Sequence, residues 1–136
     1  MKDFNYYLKK VKEQKINEDI FNTEKQTKLD NHQQTVQEFN AKKNSFQRIF
    51  SQPQERWEDE ANKIIDGNIY LQKQWQLSKI ENDIRNIEDQ LRKSELTKEE
   101  KDNLQERLND NNKKLQETKK DLDNKIRQDL AEINAM

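Results

Sequence analysis

His32 is the only histidine among 136 residues, so its acid–base and metal chemistry near neutral pH has to be weighed on its own. It lies three residues after Leu29 and four before Val36, the spacing of one helical face. A histidine placed there reads as a partly buried structural residue, with a pH-sensitive contact as the other role open to it. Cysteine is absent, which removes disulfides, thiolate nucleophiles and thiolate metal sites but leaves the redox compartment undetermined. Aspartate and glutamate total 27 and are spread along the whole length, so no pair of them stands out as a catalytic dyad. A dyad also needs a pocket that shifts its pKa values, and a narrow apolar seam desolvates little. The single glycine leaves no phosphate-cradling loop, and neither a nucleophile elbow nor metal-ligand spacing occurs. The sequence therefore argues against an enzyme and implies no cofactor and no metal.

The aromatic residues say more. Phe39, Phe46, Phe50, Trp57, Tyr70 and Trp75 crowd the middle third, whereas no aromatic follows Ser94. One reading makes them the thick part of a helical core. The other makes them interface anchors, because a chain with so little core to fill has more large rings than a slender bundle needs. On that second reading the candidate partner-binding residues are Phe46, Phe50, Trp57, Ile64, Tyr70, Leu71 and Trp75, with the two tryptophans foremost.

These residues must be positioned by helices. Only 29% of the chain is hydrophobic and 39% is charged, a balance found in disordered chains or in long helices that bury a narrow seam. One Gly and one Pro in the whole chain favour helices, since disordered linkers are usually rich in both. Lys and Arg total 26, so the net charge is −1, with both signs mixed throughout. No basic face stands out, which argues against nucleic acid as a partner. No apolar run has the length of a signal peptide or of a membrane span, so a cytoplasmic protein is expected, with export alongside a partner left open.

The clearest element is a pair of helices folded back on one another. Leu77, Ile80, Ile84, Ile87 and Leu91 step by three and four along one stripe, and Leu104, Leu108, Leu115, Leu122 and Ile126 form a second. Thr97, with Glu100 three residues on, has the form of a capping box that restarts the helix between them. Asn111 falls on the second stripe, where a polar residue fixes register at some cost in stability. Upstream, Phe4, Leu8 and Val11 share a heptad frame with Leu29, His32, Val36, Phe39, Phe46 and Phe50. Between Lys15 and Lys25 that frame is filled by polar residues and the apolar ones move to Ile16, Ile20 and Phe21. Such a slip marks a stutter, a change of partner or a weakly packed section.

Pro53 suggests a helix boundary, with Ser51 and Gln54 spaced as a capping box, although Phe50, Trp57, Ile64 and Leu71 hold one frame straight across it. Asp66-Gly67-Asn68 sits within good periodicity, so Gly67 is expected to be helical or mildly bent. The fold class is thus all-α: long antiparallel helices forming a coiled-coil hairpin or a slender three-helix bundle. A single elongated domain over 1–136 has helices at about 3–49, 54–94 and 98–134, each roughly 55 to 70 Å long at the usual helical rise.

A small, glycine-poor helical chain with aromatics near a central hairpin resembles the WXG-type proteins of type VII secretion, in particular the helical partners of LXG toxins. Trp57 is followed here by Glu58-Asp59 and Trp75 by Gln76-Leu77, without the Trp-x-Gly turn, and the end Ala131-Glu132-Ile133-Asn134-Ala135-Met136 has no tyrosine-based export motif. The resemblance implies a chaperone or targeting subunit that pairs with the helical region of a toxin. By shape the chain is also similar to the short coiled-coil stalk proteins of flagellar and type III export. The expected function is a non-enzymatic helical adaptor or chaperone that binds another helical protein. The rival is a self-assembling structural or scaffolding coiled coil, satisfied by copies of itself.

Overall fold

The computed structural model describes residues 4–93 and 95–136. The expected helix start at residue 3 and the expected end at residue 94 lie outside them. Among the described residues the protein is all-α, without a strand. Its helices are α1 (Phe4–Lys42), α2 (Trp57–Ile65), α3 (Ile69–Leu91) and α4 (Lys98–Asn134), with 3-10 helices at Ser45–Ser51 and Gln54–Arg56 between α1 and α2.

Where α1 leaves the α-helical conformation it does so before the expected residue 49, and the reason is burial. At three residues per turn a 3-10 segment puts positions i and i+3 on one side. The segment Ser45–Ser51 thereby turns both Phe46 and Ile49 inward, to 0% and 3% exposure. Pro53 then takes an extended conformation (φ −56°, ψ 138°) and caps the short Gln54–Arg56 turn without a side-chain bond. The capping role expected of Ser51 does not arise, because its hydroxyl donates to the carbonyl of Arg48 at 2.7 Å.

The chain reverses three times. At Pro53 it turns back into α2, whose Glu58 lies level with Trp75 and Lys79 through hydrogen bonds of 3.1 and 3.3 Å. It turns again at Asp66–Asn68. Gly67, expected within a helix, has φ +77°, and Asp66 before it is left-handed at φ 41°. Two successive residues with positive φ end α2, and Asn68 restarts the chain as α3. The Asn68 side chain is buried and accepts from the backbone N–H groups of Tyr70 and Leu71, while its Nδ2 donates to the carbonyl of Thr35 at 3.0 Å. That last bond ties the start of α3 to α1, a tertiary cause that local periodicity does not carry.

From Asn68 the chain runs out along α3, turns at Thr97 and returns along α4. Thr97 caps α4 by accepting from the Glu100 N–H at 3.1 Å. On α3 the side chains of Leu77, Ile84 and Ile87 are buried and those of Ile80 and Leu91 half-buried. On α4 they meet buried Leu104 and Leu122 and half-buried Leu108, Leu115 and Ile126. Asn111 is half-buried on the same side of α4. The helices are staggered. Helix α4 pairs with α3 over most of its length and with α1 near its own end, where Lys25 Nζ donates to the carbonyl of Asn134. Residues 4–24 of α1 run on past that point.

Candidate docking surfaces

The aromatic residues form the core of the chain itself. Phe46, Tyr70, Leu71 and Trp75 are at most 2% exposed, and Phe50, Trp57 and Ile64 are half-buried against them. Phe50 stacks on Trp75 at 5.4 Å between ring centroids, and Trp57 meets Phe50 edge-on at 5.0 Å. Both indole N–H groups are satisfied internally, Trp57 Nε1 by the carbonyl of Gln52 and Trp75 Nε1 by the carboxylate of Glu58. Lys79 lies over the Trp75 ring and pairs with Glu58. Four of the seven residues put forward as partner-binding are thus turned inward, and the structure gathers all seven around one interior instead of spreading them on a face. The shared frame of Phe50, Trp57, Ile64 and Leu71 reflects separate elements that each face this interior.

His32 and Tyr70 belong to a network that joins three helices. The Tyr70 hydroxyl donates to Asp129 Oδ2 at 2.6 Å, Lys125 Nζ donates to Asp129 Oδ1 at 2.8 Å, and His32 Nδ1 lies 3.3 Å from the Tyr70 oxygen. With the phenol proton directed at Asp129, the Tyr70 oxygen is the acceptor for an Nδ1–H of His32. Burial and the Asp129 carboxylate together push the Tyr70 phenol well above its usual range. Burial pushes the Asp129 carboxyl up, but the hydrogen bonds from Lys125 and Tyr70 outweigh it and hold the group below its usual value. A tyrosine that works as a base needs its proton loosened, and this one is held. The network acts as a clasp of α1, α3 and α4. Among the described residues no group of three or more His, Asp or Glu side chains could hold a metal ion, and no helix is long and apolar enough to cross a membrane.

Open apolar surface lies elsewhere. Among the described residues nine large hydrophobic ones are exposed, and seven of these fall in the first part of α1: Phe4, Tyr7, Leu8, Val11, Ile16, Ile20 and Phe21. The exposure of Phe4, Leu8 and Val11 follows from the stagger, since α4 stops beside Lys25 and no other described residue covers that face of the helix before it. The slip of the apolar frame between Lys15 and Lys25 is the sequence signal of this open surface. A groove of about 580 Å³ adjoins this region, lined by Leu29, His32 and Val36 of α1 and by Ile126 and Leu130 of α4. No family model, curated protein or solved structure matches the chain.

Proposed function

We propose that the protein is a non-enzymatic helical adaptor that receives a helix of another protein along α1. The observation that supports this reading is the stretch before Lys25, where Phe4 (78% exposed), Leu8 and Val11 continue the face that α4 covers further along. A helix needs an apolar partner along such a stripe, and α4 has ended. An incoming helix would take the place α4 vacates and continue into the groove at Leu29, Val36 and Leu130. The α3–α4 pair is the rigid arm behind this site, and its leucine and isoleucine stripes support a coiled-coil hairpin. A secreted toxin or effector of the type the resemblance implies is one partner of suitable shape.

The test is to tag the full chain in its source cell and determine the composition of what is recovered. A stoichiometric second protein that is lost from Leu8→Glu and Val11→Glu, with helicity kept, supports the adaptor. Recovery only at multiples of 16.6 kDa favours the self-assembling scaffold instead.

A further inference from the structure

Helix α1 carries a second unpartnered apolar face. At about 100° per residue, Ile20 points roughly 180° away from Leu29, and Ile16 roughly 140° away. Leu29 faces α4, so Ile16 and Ile20, 58% and 54% exposed, lie on the opposite side of the helix from both α4 and the groove. The slip of the seam is therefore a change of face.

The charge around this face is divided. Toward the start of the helix Lys9 and Lys12 lie within about 60° of the Ile16–Ile20 line, with Glu13 among them; toward Lys25, Asp19 and Glu24 flank it with no cation, whereas Lys15 and Glu18 point to the α4 side. Among the described residues none of these side chains makes an ion pair. We propose that residues 4–24 of α1 pair antiparallel with the same segment of a second copy, forming a two-fold dimer centred near Ile16 and Asn17. In that arrangement Lys9 lies level with the other copy's Glu24 and Lys12 beside its Asp19, Ile16 packs against its counterpart, and Ile20 packs against the stems of the other copy's Lys12 and Glu13. A parallel pair would set like charge on like, so the pattern selects the orientation. The Phe4–Leu8–Val11 face points outward on both copies and stays open for the adaptor's partner, so this inference stands or falls apart from that reading.

The full chain in solution provides the test, its mass read by sedimentation equilibrium at low ionic strength. Twice 16.6 kDa is expected, reverting to 16.6 kDa at high salt as the charges are screened. The variant K9E/K12E and the variant D19K/E24K are each expected to be monomeric, and their equimolar mixture dimeric. All four residues are exposed and remote from the core, so circular dichroism should show the helices intact. Ile16→Gln with Ile20→Gln should also give monomers. The absence of native cysteine makes the orientation readable: oxidising a mixture of Lys9→Cys and Glu24→Cys chains should link the two kinds to each other. A wild-type chain that stays monomeric at every concentration, charge-reversed variants that still self-associate, or cross-linking only between like variants would overturn the proposal.

Discussion

At the scale of single residues, Trp75 and Tyr70 show what the buried aromatics do. Trp75 touches Phe46 and Phe50, donates to Glu58 and is 1% exposed. Trp75→Ala should therefore lower the unfolding free energy by about 3–5 kcal/mol, measured by urea titration, through lost burial and the cavity left behind. An unchanged midpoint would show that the ring is not part of the core. Tyr70→Phe keeps the ring and removes the bond to Asp129, for an expected loss of about 1–3 kcal/mol at neutral pH. Its pH dependence has a definite sign. The phenol's folded pKa is raised, so its stabilisation is complete below the unfolded value near 10 and is lost as pH climbs beyond it. Asp129 has a lowered pKa, so its contribution is present above the ordinary carboxylate range near 4 and is lost as pH falls through the folded value. Melting temperature against pH should then decline at both ends in the wild type, and the Tyr70→Phe curve should approach it on the alkaline side. In the sequence, the types and crowding of these aromatics were plain. Which way they face depends on Phe46 and Trp75 meeting from elements about thirty residues apart, and no local period encodes that.

Elements differ in how much of them was legible. Helix α4 covers the expected 98–134 because Thr97 marks its start and its apolar stripe resumes past Asn111 through to Ile126, both local signals. Gly67 was hidden because the heptad frame continues on either side of it, while the turn is held by Asn68 reaching the carbonyl of Thr35, 33 positions back. The same continuity concealed the 3-10 segment at Ser45–Ser51. Two substitutions separate local from tertiary causes. Space around Gly67 is open, so Gly67→Ala meets no steric clash, and its expected cost of about 1 kcal/mol comes from φ +77° alone. A gain in thermal midpoint would mean that the turn can relax into a continuous helix. Asn111→Leu, on the half-buried side of α4, should raise the thermal midpoint by removing a partly desolvated amide and should broaden the distribution of oligomers. No change in either would place Asn111 in water.

Over the whole molecule, stagger decides both length and surface. Helix α4 has 37 residues and so spans roughly 55 Å, and residues 4–24 of α1 add roughly 31 Å beyond its end. One copy is therefore a rod of about 85 Å, thick only where α1, α2 and α3 meet around Trp75. Three coterminous helices of the same total length would have buried the Phe4–Leu8–Val11 stripe, which the stagger leaves free. Pairing two copies near Ile16 overlaps their α1 segments and sets the two arms at opposite ends, giving a particle of about 135 Å. Small-angle scattering distinguishes this arrangement from other dimers without any substitution. The maximum dimension should rise from about 85 to about 135 Å as concentration is raised at low salt, and fall back when salt screens the charged halves of α1. A doubled mass with the maximum dimension still near 85 Å would mean that the copies lie side by side along α3 and α4. The divided charge of residues 9–24 would then serve a different partner.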